Sequence, residues 1–207
     1  MLLEQNLNDP LCKPVELYYR HWFRFMERNV DYWMAESQWH AMDHAARVLL
    51  LALTIGHQKG VDENGLNTLS LAAVFHDSRR VDDWIDRGHG ARAAEYYQAY
   101  CRTRSIPVDG HAAFIMQHHD LDDGIGLAEI DRMSAGRKRC LALFRIFKDA
   151  DALDRFRLGR DALNVSMLRT NEAPELIAFS QFLLQQSRDE LNVSRPAAGR
   201  TVEVLAS

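Results

Sequence analysis

Between its glycines and prolines this chain repeats its apolar residues at helical rather than alternating spacing, and that period points to an all-α fold. After Pro14 the run VELYYRHWFRFMERN sets aromatics and Met on a recurring face and predicts a first helix. A second is expected from about Gln38 to Ile55, with Leu49, Leu50 and Leu53 in a strongly apolar half and Gly56 as its end. A third is expected from about Asn67 to His76, a fourth over GARAAEYYQAYCRT, and a fifth opened by Pro107 and Asp109 and reaching His119. The glycine-bearing stretch DLDDGIGLAEID reads as a loop. Ser134 is placed to cap a sixth helix that carries LALFRIF into KDADALDRF and closes at Gly159. NEAPELIAFSQFLLQQSRDELN reads as a further amphipathic helix, which either covers the core or forms a homodimer interface. TVEVLAS is weakly compatible with a strand.

Composition narrows the function classes. A length of 207 residues predicts one domain, 1–207, with a sizeable core; the apolar (47%) and charged (26%) fractions exclude a disordered or fibrous chain. A formal net charge of -4 supplies no broad basic field, so no long nucleic acid is expected as a partner. Cys12, Cys101 and Cys140 are odd in number and far apart, without C-x-x-C, which fits a reducing cytoplasm better than a disulfide framework. The N-terminal MLLEQNLNDP lacks a signal-peptide pattern, and no apolar run has the length of a membrane span, so no membrane partner is expected.

The histidines carry the chemistry. His40 and His44 lie one turn apart on the second expected helix and share a face. His76 and Asp77 end the third helix, His89 follows an acidic loop, His118 and His119 end the fifth, and Asp149 and Asp151 stand late in the sixth. Imidazole and carboxylate donors suit Zn, Mn, Fe or Ni, and two adjacent ions need about six of them with a carboxylate between. A lone histidine on an apolar face is usually a hydrogen-bonded core residue, and His21, His57 and His111, outside the pattern, are read that way.

Four stretches together resemble the HD superfamily of metal-dependent phosphohydrolases, whose ligand pattern is H…HD…D: HAARVLLLA with His44, Arg47 and Val48; FHDSRR with His76 and Asp77; DRGHGARAA with His89 and Gly90; and KDADALDRF with Asp151. They stand in the family's order over roughly residues 38–157, leaving an N-terminal helix and a C-terminal helical extension outside. The resemblance implies a helical bundle with a metal site in a central cleft. It implies that His44, His76, Asp77 and Asp151 hold one divalent ion. His89, His118 and His119 would complete a second, with Asp77 bridging, in the form H…HD…H…HH…D. Asp151 is preferred to Asp149 because Ala150-Asp151-Ala152-Leu153 matches the family's A-D-x-L context; Asp149 is then a supporting carboxylate. His40 matches a place where some members carry another ligand. The ions implied are two of Mn, Fe, Ni, Zn, Co or Mg, with Asp77 also catalytic.

Arg80 stands where many relatives keep a phosphate-binding lysine, and its planar fork suits phosphate oxygens; Lys148, Arg79 and Arg47 are weaker candidates. Asp82, Asp83 and Asp86 either orient histidine ligands or solvate the loop, and at least two of them read as solvating it. The implied reaction is hydrolysis of a small phosphorylated substrate, such as a nucleotide, by metal-activated hydroxide. Cyclic-dinucleotide-cleaving relatives carry HHE-x-x-DG-x-GYP, whereas here His118-His119-Asp120 leads to Gly126-Leu127-Ala128, without the Tyr-Pro. An alternative implied by the same superfamily is a di-iron oxygenase, of which myo-inositol oxygenase is an example with four His and two Asp. The His118-His119 pair leans away from it. A regulatory HD domain without turnover is the third reading.

Overall fold

The computed structural model describes residues 3–37 and 42–194. Eight α-helices follow one another: α1 (Glu16–Asn29), α2 (Met42–Gln58), α3 (Glu63–Phe75), α4 (His89–Thr103), α5 (Gly110–His118), α6 (Asp123–Asp131), α7 (Arg137–Leu153) and α8 (Ile177–Ser194). Short 3-10 turns join them, and no strand occurs among the described residues. The fold is all-α. His40 and the TVEVLAS segment lie outside the described residues.

The organising element is α2. Every residue from His44 to Gly56 is buried, so the helix has no solvent face and has to be surrounded. α1, α3, α7 and α8 pack around it, and the buried apolar residues form one cluster from Leu3 to Leu183. The C-terminal helix α8 therefore covers the core. Among the described residues no helix is long and apolar enough to cross a membrane.

Several boundaries differ from those the pattern predicts. Gly56 does not end α2; the helix runs on to Gln58, and a Cβ at Gly56 would stand 2.9 Å from Leu66 and 3.0 Å from Leu69. The glycine serves close packing of α3, and the left-handed turn falls on Gly60, with φ +68°. α3 starts at Glu63 because the Asp62 carboxylate accepts from the Gly65 N–H. α7 is preceded by left-handed Gly136 rather than capped by Ser134. The expected loop at 120–131 contains α6, capped by Asp122, where Gly126 lies against the Phe144 ring and Ile130 is buried.

Helix direction decides what meets. Residues 59–62 reverse the chain between α2 and α3, and residues 104–109 between α4 and α5, so each pair packs antiparallel. The start of α2, the ends of α3 and α5 and the start of α4 then share one end of the bundle. His44, His76–Asp77, His89 and His118–His119 occupy those four places.

Candidate metal centre

Asp77 is the centre of the cluster. Its Oδ2 lies 3.5 Å from His44 Nε2 and 3.9 Å from His76 Nε2, while its Oδ1 lies 3.0 Å from His89 Nε2 and 3.4 Å from His119 Nε2. One carboxylate thus divides four imidazoles into two pairs. His44, His76 and Asp77 bring donor atoms within 4.8 Å of one another, and so do Asp77, His89 and His119. Asp151 joins the first group, its Oδ1 3.4 Å from His44 Nε2. All of these are buried except Asp151, whose side chain is 25% exposed.

The outward nitrogens fix the tautomers. His76 Nδ1 lies 2.8 Å from Ala73 O, His89 Nδ1 2.6 Å from Asp86 O and His119 Nδ1 2.7 Å from Met116 O. A backbone carbonyl only accepts, so each Nδ1 must carry the proton and each Nε2 then presents a lone pair inward. His44 Nδ1 is 2.7 Å from Asp154 Oδ2, which orients it in the same way. The Nε2 atoms face each other at 3.1 Å in the His44–His76 pair and 2.9 Å in the His89–His119 pair. Paired lone pairs beside a carboxylate form a donor set that fits a divalent cation.

Electrostatics agree with that chemistry. Burial pushes His76 down to about 3, so it is neutral. Burial alone would raise the Asp77 carboxyl, but His76, His119, His89 and His44 outweigh it and hold the group well below the usual carboxylate range. Asp151 is lowered against burial by His44, His76 and Arg157. His44 and His89 move up despite burial, His44 through Asp151 and Asp154 and His89 through Asp77. The site thus presents two carboxylates among imidazoles that are neutral or bind protons through those carboxylates.

Asp154 is the residue that the sequence reading passed over. It lies 2.6 Å and 3.0 Å from Arg47 Nε and Nη2 as well as holding His44, and Arg47 Nη1 reaches Asp43 and the Ser187 hydroxyl on α8. Arg47 is therefore a structural partner of a buried carboxylate, placed behind the His44–Asp77 cluster. The signal was the third aspartate of KDADALDRF, three residues, or about one helical turn, after Asp151.

Other expected residues are placed differently. His118 is not brought into either group: its ring stacks on Phe114 with centroids 4.2 Å apart, and its Nδ1 lies 2.9 Å from Phe114 O. Adjacent residues at a helix end point about 100° apart, so only one of the two histidines faces Asp77. Asp149 is not in the cluster and accepts from the Arg169 and Thr170 N–H groups and from the Arg169 guanidinium. The Lys148 ammonium donates to His119 O and Leu121 O and lies 3.1 Å from Asp123, so its three donors tie down the α5–α6 turn. Arg80 lies 3.3 Å from the His89 ring and 3.9 Å from Asp77 Oδ1, with Nε and Nη2 donating to Asp82 O and Trp84 O. Arg79 is stacked on Tyr96, 3.3 Å from the ring centroid, outside the cluster. Asp86 is no solvated residue: it accepts from the Val81 N–H and twice from Arg92.

The cluster opens onto a cleft of about 1050 Å³ whose lining includes Asp77, His89, His119, Asp151 and Arg80. No protein-family model, curated protein or solved structure matches the chain.

Proposed function

We propose that the chain is a metal-dependent phosphohydrolase of the HD superfamily type, acting on a small phosphorylated substrate. The observation that carries this reading is the division of the Asp77 carboxylate between two pairs of inward-facing imidazole nitrogens. His44, His76, Asp77 and Asp151 would hold one divalent ion and Asp77, His89 and His119 the other. The chemistry such ions supply is Lewis acidity and hydroxide from water near neutral pH. Asp154 keeps the His44 ring turned so that Nε2 points inward, and the Ala73, Asp86 and Met116 carbonyls do the same for the other three rings. The phosphate would enter through the cleft, where Arg80, Arg155 and Arg157 offer guanidinium groups to its oxygens.

One observation favours the oxygenase alternative. With His118 stacked on Phe114, the cluster numbers four His and two Asp, so the histidine pair no longer leans away from O₂ chemistry. The two readings separate in one experiment. Protein loaded with Mn(II), and separately with Fe(II) under air, is assayed for phosphate release from nucleotides and sugar phosphates, for ring opening of cyclic dinucleotides, and for oxygen consumption with each of them. Metal-dependent phosphate release or ring opening that disappears in Asp77→Ala supports the hydrolase; substrate-coupled oxygen uptake without either replaces it with the oxygenase. Less than one ion per chain and neither activity leaves the regulatory reading.

A further inference from the structure

The geometry points to Trp84 and Ile85 as a specificity wall that holds a flat apolar group of the substrate, beside the cluster where its phosphate would react. The proposal rests on the hydrolase reading and adds to it the shape of the leaving alcohol. Trp84 and Ile85 are 86% and 85% exposed, yet they line the same cleft as Asp77, His89 and His119. Two adjacent large apolar side chains so fully in water are unfavourable unless something covers them.

The turn that carries them is braced. The Trp84 carbonyl accepts from Arg80 Nη2 at 2.8 Å and from the Asp86 N–H at 3.1 Å, and the Trp84 N–H donates to Asp82 Oδ1 at 2.8 Å. The Asp86 carboxylate takes the Val81 N–H at 2.8 Å and both of its oxygens lie 2.6 Å from Arg92 Nη2. Arg80 also touches His89, so the position of Trp84 is tied to that of the cluster. The indole is held out on a fixed support, which lowers the ordering penalty for whatever stacks on it.

Other parts of the lining are apolar as well. Leu158, Leu163 and Met167 line the same cleft, Leu158 at 45% and Met167 at 60% exposure. Their segment is anchored where Arg169 pairs with Asp123 and Asp149. A cleft whose lining combines an exposed tryptophan, an adaptable Met and two leucines suits a planar ring system, with the charged end of the same molecule among the arginines.

The test uses two phosphate monoesters that differ only in the flat group, adenosine 5′-monophosphate and ribose 5-phosphate. The metal-loaded parent is expected to prefer the first in kcat/KM, and Trp84→Ala to reduce that preference about tenfold through KM, with Trp84→Phe restoring most of it. Leu17→Ala, an equally exposed apolar residue on α1, is the control for a nonspecific surface effect. Equal preference in the parent, or an unchanged preference in Trp84→Ala, overturns the proposal. If neither ester is hydrolysed, the hydrolase reading is judged on the wider substrate panel, and binding of adenosine to metal-free parent and Trp84→Ala, followed by chemical shifts of the indole N–H resonances, decides the wall: weaker binding in the variant supports it and equal binding overturns it. A parent that sediments as a dimer, with Trp84→Ala monomeric and its ester preference intact, assigns the patch to a second copy of the chain and overturns it too.

Discussion

At the scale of single residues, Asp154 shows how much of a buried histidine's behaviour is set behind it. Its carboxylate is held low, against burial, by Arg47 and His44, and in return it fixes the His44 tautomer and neutralises a guanidinium inside the core. Asp154→Asn is expected to leave the buried Arg47 charge with Asp43 alone to balance it, lowering stability by about 3 kcal/mol in urea unfolding. The same variant should weaken metal binding by about 10–100-fold in a competition titration with a chelator dye. His118 gives the opposite expectation. Since it touches Phe114 and not Asp77, His118→Ala should keep the parent's metal content by elemental analysis, whereas His119→Ala should lose an ion. These two residues mark the edge of what the sequence conveys. Matching flanks singled out His44, His76, Asp77, His89, His119 and Asp151, which the fold gathers around one carboxylate, but a dipeptide carries no angle, so HH pointed to two histidines where the helix end turns only one towards Asp77. Asp149 shows the same limit: two residues from Asp151, it lies on the other side of α7 and holds Arg169.

At the scale of helices, ends matter more than middles. Gly90, in the first turn of α4, lets that turn lie against the end of α5: a Cβ there would stand 2.4 Å from Met116 O, 2.6 Å from Asp120 Oδ1 and 3.0 Å from His119 Nδ1. A backbone carbonyl cannot step aside, so Gly90→Ala should push α4 from α5, cost about 1–3 kcal/mol in thermal or urea unfolding, and separate His89 from His119. The cap of α3 carries the clearest pH dependence. The Arg139 guanidinium and the Gly65 N–H bring Asp62 down to about 2. A carboxyl held below its unfolded value of about 3.9 stabilises the fold while ionised, so its contribution is complete above pH 4 and fades as pH falls towards 2. In urea titrations, the stability gap between the parent and Asp62→Asn should be open at pH 6 and close over that acid window. Helix existence was legible from apolar period, and boundaries were less so. α6 was hidden because Gly124 and Gly126 lower local propensity, and what holds it is distant: Phe144 covers Gly126 and the core takes Ile130.

At the scale of the whole molecule, the all-α class could be read from periodicity because a bundle core is built from faces that repeat every 3.6 residues. The convergence of the site could not, since no spacing along the chain states which helix ends meet; that expectation came from the resemblance alone. The three cysteines offer a global check on packing. All are buried, and burial pushes Cys12 up to about 12 and Cys140 to about 11. Native protein should therefore react with Ellman's reagent only slowly, with three thiols appearing on denaturation. The alternating run of α2, α3, α4 and α5 leaves the chain reversals at Gly60 and Ser105 at the pole away from the cluster around Asp77. A fluorophore, affinity handle or surface tether attached at either reversal would immobilise the molecule with its cleft facing outward.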